Sequence, residues 1–324
     1  MNISINLVAA LWLAGTALTA GAQVPAYPSR PVKLVVGFAP GGAADYVARA
    51  LAEPLARALG QSVLVENRAG AGSSIAAEYV AKSAPDGYTL LIASPSSISV
   101  NPAINAKLGY AARDLAPVTR VSVSPLVVAV NNGLGIASIA DLVAAGKKSP
   151  GKLNYASSGQ GSAPHLSGVL FARLAGIEMV HVPFKGGGPA VQSVVAGDTQ
   201  LTFGTPPSVL PLMQAGRLRG LAVTSRARSP LVPGLPGMAE AGLADYDMNF
   251  WYGIFVPAGT PAIVVRRVFD AVSGVLQLPE VKAALAREGT ETANSKSPED
   301  FAAFLVEDAK FWQRLVKDAR VTMD

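Results

Sequence analysis

The chain has 324 residues, 27 Lys and Arg against 22 Asp and Glu, a formal charge of +5, two histidines and no cysteine. The lack of cysteine excludes disulfides, a thiol nucleophile and a thiolate metal site, and two histidines without an HExxH pattern leave zinc chemistry without ligands, so neither a metal nor a cofactor is expected. Basic residues are scattered and aromatic residues make up 6%, which argues against a nucleic-acid surface and leaves a mild positive field suited to small anions.

The first segment, MNISINLVAALWLAGTALTAGA, carries an apolar stretch from Leu7 to Ala20 and small residues at Ala20, Gly21 and Ala22. It reads as a cleaved signal peptide over residues 1–22 that exports the chain to the periplasm, although no Lys or Arg precedes Leu7. The stretch is shorter than the roughly 20 residues of a spanning helix. The chain from Gln23 onward suffices for two domains of roughly 150 residues each.

Strand-like runs then alternate with helix-period segments, which predicts an α/β fold. The strands are VKLVVGF, SVLVEN, YTLLIAS, PLVVAV, LNYAS, MVHVPF, QLTFG and LRGLAVT; the helices between them include ADYVARALAEPLARALG, SIAAEYVAKSA, SIADLVAAGKKS, APHLSGVLFARLAG and GPAVQSVVAG. A Pro- and Gly-rich region from Pro230 to Asn249 breaks this rhythm. FWYGIFVPAGTP then predicts one more strand, followed by three helices. The last opens on SPEDFAAF, where Ser297 and Asp300 have capping-box spacing and Phe301, Phe304, Leu305, Phe311 and Trp312 share a packing face.

Two segments, LVVGFAPGGAAD and LNYASSGQGSAPH, have one plan: strand, small-residue corner, helix start. The repeat of that plan suggests two similar lobes. A helix start exposes unpaired N–H groups and partial positive charge, and glycine lets them approach a ligand, so such corners suit anions. Gly37 and Gly42 have Walker spacing, but Ala43 and Ala44 stand where Lys and Ser or Thr would be required. Neither GQGSAP nor GAGSSI completes a dinucleotide fingerprint. Asp45 can close back on the helix start or orient a bound water. The second corner offers Ser157, Ser158, Gln160 and Ser162 before the helix that carries His165. KGGGP, from Lys185 to Pro189, forms a third corner, whose lysine suits either a carboxylate or solvent. SPSSISVNP supplies hydroxyls after another strand.

In that order, YPSRPVKLVVGFAPGGAADYVAR, VENRAGAG, VAKSAPDGYTLL, PGKLNYASSGQGSAPHL, HVPFKGGGPA, GRLRGLAVTS and FWYGIFVPAGTP resemble the sequence blocks of the Bug family, the periplasmic receptors of tripartite tricarboxylate transporters. The resemblance implies a two-lobed, type II-like binding protein with a ligand cleft between mainly parallel sheets flanked by helices. Lobe 1 would comprise 23–123 and 250–324, lobe 2 would comprise 124–249, and the crossovers would lie near Ser124 and Asn249. It also implies two pincers that hold a carboxylate through backbone N–H groups and ordered waters: Phe38, Ala39, Gly41, Gly42, Ala43 and Asp45 in the first, and Ser157, Gly159, Gln160, Gly161, Ser162 and His165 in the second. Ser94, Ser96, Lys185, Gly186, Gly204 and Thr205 complete the expected ligand-facing set. Relatives often carry acids where this chain has Gln200 and Gly204, and a tyrosine where it has Phe184. That pattern disfavours an amino acid and favours an amine-free mono- or dicarboxylate, with an aromatic or hydrophobic body as one option. The expected partners are this small anion and the permease subunits of a tripartite transporter. A ligand sensor docking on a histidine kinase is the alternative role; a serine hydrolase on Ser162 and His165 is disfavoured by their spacing and by the missing G-x-S-x-G elbow.

Overall fold

Runs such as VKLVV and TLLIA are apolar at nearly every position because they become inner strands covered on both faces. The computed structural model describes residues 27–105 and 107–318, so the signal peptide expected over residues 1–22 lies outside the described residues. In chain order the elements are β1 (Val32–Val36), α1 (Ala43–Leu59), β2 (Val63–Asn67), α2 (Ser74–Ala81), β3 (Thr89–Ala93), α3 (Asn101–Ile104), β4 (Leu115–Pro125) and β5 (Val127–Asn131). They continue with α4 (Ile139–Lys148), β6 (Leu153–Ser157), α5 (Ala163–Ala175), β7 (Met179–Pro183), α6 (Gly187–Ala196), β8 (Leu201–Gly204), α7 (Pro206–Gln214) and β9 (Leu218–Val223). The last are β10 (Asn249–Pro257), α8 (Ala262–Gln277), α9 (Pro279–Arg287), β11 (Glu291–Thr292) and α10 (Pro298–Asp318).

These strands form two sheets, ordered β11-β4-β10-β3-β1-β2 and β7-β6-β8-β5-β9, each flanked by helices. The molecule is two-lobed. The chain leaves the first sheet after β4, enters the second at β5, and returns between β9 and β10. Within each sheet the βα units give parallel pairs, β2-β1-β3 and β7-β6-β8. The expectation of mainly parallel sheets needs correcting elsewhere: β10 runs antiparallel to β3 and β4, and β5 runs antiparallel to β8 and β9. The reason is directional. The parallel strands end at the junction between the sheets, whereas β5 and β10 begin there and run away from it.

The strand β4, LAPVTRVSVSP, is not among the expected strands, because two prolines and an arginine interrupt its pattern. Pro117 fits because it sits beside a register shift opposite Phe255, where the ladder is already irregular. In α10, Ser297 caps the N–H of Asp300 at 3.2 Å, and the Asp300 carboxylate accepts the N–H of Lys296 at 3.0 Å. Phe301 and Trp312 are buried, but Phe311 is 37% exposed, contrary to its expected place on the packing face. Adjacent helix residues point about 100° apart, so Phe311 and Trp312 cannot share one narrow stripe.

Both crossovers are tied at Thr224, which is fully buried. Its N–H donates to the Leu126 carbonyl and its own carbonyl accepts the Met248 N–H, each at 2.9 Å. Its Oγ1 accepts the Leu126 N–H at 2.7 Å and donates to the Met248 carbonyl at 2.8 Å. Thr224→Val keeps the shape but strands one buried N–H and one carbonyl. Urea unfolding should show a loss of about 1–3 kcal/mol, and an unchanged midpoint would refute the assigned role.

Candidate functional site

The carboxyl ends of the parallel strands of both sheets face one another, which is where open α/β sheets place ligands. Between them lies a narrow cavity of about 20 Å³. Its wall comes from the helix starts of α1 (Gly42, Ala43, Ala44), α6 (Gly187) and α7 (Thr205), with Pro164 of α5 and Ser158 of the corner before it. Phe38, Ser96, Ala190, Val191, Thr202, Gly204, Phe250 and Tyr252 complete it. Among the described residues, none that lines it is an acid, lysine, arginine or histidine. The field inside therefore comes from the positive ends of helices, and an anion is the charge it favours. The fully buried Ser96 hydroxyl has no hydrogen-bond partner among the described residues, as a group awaiting a ligand or water would.

Of the residues expected to face a ligand, Phe38, Gly42, Ala43, Ser96, Gly204 and Thr205 line this cavity. Asp45 instead builds the first corner. Its carboxylate accepts the Gly41 N–H at 3.1 Å, the Arg49 guanidinium at 3.0 Å and the Asn67 amide at 3.0 Å, while Asn67 also reaches the Phe38 carbonyl. Burial alone would raise the carboxyl pKa, but the hydrogen bonds from Arg49, Gly41 and Asn67 outweigh it and hold Asp45 below the ordinary value. Gly41 has φ +80°, a conformation that glycine adopts without strain.

The second corner is likewise built by most of its polar residues. Ser157 Oγ lies 2.6 Å from His181 Nε2 and accepts the Gly159 N–H at 3.1 Å. Gly161 donates its N–H to His165 Nδ1 at 3.1 Å, and Ser162 caps α5 by accepting the His165 N–H at 3.4 Å. Ser162 and His165 thus meet through a backbone N–H, which gives no nucleophile–base pair. His165 stacks on His181, with ring centroids 3.9 Å apart, behind the corner. The Ser94 hydroxyl is buried without a partner among the described residues but lies outside the cavity wall. The Lys185 side chain is exposed, and only its carbonyl acts here. Gln200 is at the opposite end of β8, accepting the Asn154 N–H, so its identity has no direct bearing on the cavity.

The corners of the two lobes touch. Ala39 donates its N–H to the Lys185 carbonyl at 3.0 Å, and Gly186 packs on Ala39 so closely that a Cβ would lie 3.0 Å from its nitrogen. Across the other side, Gly72 faces the Gln160 carbonyl and Gly161 faces the Asn101 side chain, leaving no room for a Cβ on either glycine. Gly72 lies in a turn where Gly70, Ala71, Gly72 and Ser73 all have positive φ, and Asn101 holds that turn through the Ala71 and Gly72 carbonyls and Ser74 Oγ. Sequence patterns do not single out Ala190, Val191, Thr202, Phe250 or Tyr252. The alternation in FWYGIFV puts Phe250 and Tyr252 on one face, but the pattern does not say that this face meets a cavity.

Burial, together with the neighbouring His181 ring, pushes the His165 pKa down to about 3, and burial pushes that of His181 down to about 4. Both rings are thus held neutral in the folded state. The unfolded chain binds more protons between about pH 6.5 and about 4, so this stabilisation is complete above about 6.5 and is lost as pH falls through that window. The slope should approach about 1.4 kcal/mol per pH unit for each histidine. Urea unfolding of His181→Gln at about pH 7, 5.5 and 4.5 should show about half the loss attributable to the pair; an unaltered slope would contradict the assignment.

The family model described as tripartite tricarboxylate transporter family receptor matches residues 47–321. Among solved structures, an R. palustris protein with adipate is 35% identical with a TM-score of 0.88, the match covering 91% of this chain and 99% of that one. The periplasmic binding protein BugD is 31% identical with a TM-score of 0.88, covering 92% and 100%. MatC from Rhodopseudomonas palustris with bound malate is 31% identical with a TM-score of 0.84, covering 90% and 100%.

Proposed function

Because the chain belongs to the tripartite tricarboxylate transporter receptor family of periplasmic solute-binding proteins, we propose that it captures a small organic carboxylate without an amine and delivers it to a membrane permease. The observation that carries this reading is the cavity itself: three helix starts converge on it and no acid or base lines it. A carboxylate gains charge-assisted hydrogen bonds there, each contributing about 1.5–3 kcal/mol. Three or four of them are of the order needed for micromolar binding, about 8 kcal/mol. An ammonium group would find no carboxylate partner. The adipate and malate bound by the two R. palustris relatives are amine-free dicarboxylates, in keeping with this choice.

In this reading 23–123 with 250–324 form one lobe, 124–249 form the other, and residues 1–22 direct export. Ser162 and His165 serve construction, and the protein is a receptor rather than a hydrolase.

A thermal-shift series with adipate, malate, benzoate, hexanoate and aspartate should raise the melting temperature for at least one amine-free acid and leave it unchanged for aspartate. Ligand at about 100 times Kd adds about 2.7 kcal/mol. A shift for aspartate alone would overturn the reading. Closure has its own test in Gly72→Ala, whose Cβ would lie 2.4 Å from the Gln160 carbonyl across the cleft. Affinity for the acid that shifts the wild type should fall by about tenfold or more, and undiminished affinity would show that the corners need not meet.

A further inference from the structure

Tyr252 reaches the cavity from β10, outside all the small-residue corners. It is 6% exposed, and its ring packs edge-on against Phe250 with centroids 4.7 Å apart. The phenol lies beside the backbone of Ala44, the second residue of α1. A phenol can donate as well as accept, so its proton can be given to a ligand oxygen.

We propose that Tyr252 is a ligand-binding residue that donates its phenolic hydrogen to a carboxylate oxygen of the bound acid, at the cavity wall shared with the start of α1. The inference rests on the carboxylate reading above. A hydrogen bond from the phenol to a carboxylate is charge-assisted and is strengthened by the low-dielectric interior. Burial raises the phenol pKa, so the group remains a neutral donor across the physiological range. Ser96, which lines the same cavity with a hydroxyl that has no partner among the described residues, is a second donor. Recognition by a phenol and a serine supplies directional hydrogen bonds without a fixed counter-charge. The bound anion is consequently held by groups that a closing or opening movement can present and withdraw together.

The test is calorimetric titration of adipate and malate into the wild type, Tyr252→Phe and Ser96→Ala. For whichever acid binds the wild type, Tyr252→Phe should weaken affinity by about tenfold, with the ligand-free circular dichroism spectrum retained. Wild-type affinity in Tyr252→Phe overturns the inference. If no amine-free acid binds the wild type in this titration or the wider screen, the carboxylate reading itself fails, a distinct result. A second measurement does not depend on the variant folding: in wild-type protein labelled at tyrosine Cζ, adding the acid that binds should shift one buried tyrosine resonance. Absence of any such shift despite calorimetric binding also overturns the inference.

Discussion

The lobes meet backbone to backbone, and the hydrogen bond from Ala39 N–H to the Lys185 carbonyl is the centre of that contact. Main chains can approach this closely only where side chains are missing or minimal. Gly186 at one end of the cleft and Gly72 and Gly161 at the other meet that requirement. Because the contact is made by rigid corners rather than by long side chains, little rotamer entropy is lost on closing. Where the chain passes between the lobes, Thr224 gathers both crossovers into one buried knot. The cavity lies between these fixed points.

Electrostatically the site works by orientation. Several helices start at the cavity while the acid and base side chains nearby are used elsewhere: Asp45 is paired with Arg49 and hydrogen-bonded by Gly41 and Asn67, and Lys185 turns to solvent. Helix-end partial charges and hydroxyls attract an anion without the strong desolvation penalty of a buried lysine or arginine. The same arrangement disfavours an ammonium-bearing ligand, which would leave its charge buried and unpaired. Phe38, Val191 and Phe250 give the wall an apolar share.

The histidine pair belongs to the scaffold. Stacked at 3.9 Å and held neutral by burial, the rings support the second corner through Ser157 and the Gly161 N–H. Residue types that commonly perform catalysis here keep a loop of small residues in one shape. A glycine-rich corner would otherwise sample many conformations at a large entropic cost.

Much of this architecture is legible in the amino-acid order. Strand and helix runs show as periodic patterns because local burial leaves a local signature, and β1, α1, β6 and α5 lie where the patterns place them. The corners are legible because glycine before a helix start has few physical meanings. Three features are not. The strand β4 is hidden by prolines that only an irregular ladder tolerates. The antiparallel pairs arise from the direction in which a chain enters a sheet, a property of the path through space. The division of labour between residues that face the cavity and residues that stand behind it is also a tertiary matter: Asp45, Ser157, Ser162 and His165 are hydrogen-bonded within their own corners, while Phe250 and Tyr252 arrive from a strand far along the chain. Amino-acid order alone sets which segments can form anion-favouring corners, since that depends on neighbours along the chain. Which side chains meet across the cleft depends on residues brought together only when two sheets pack, and no local pattern encodes that distance.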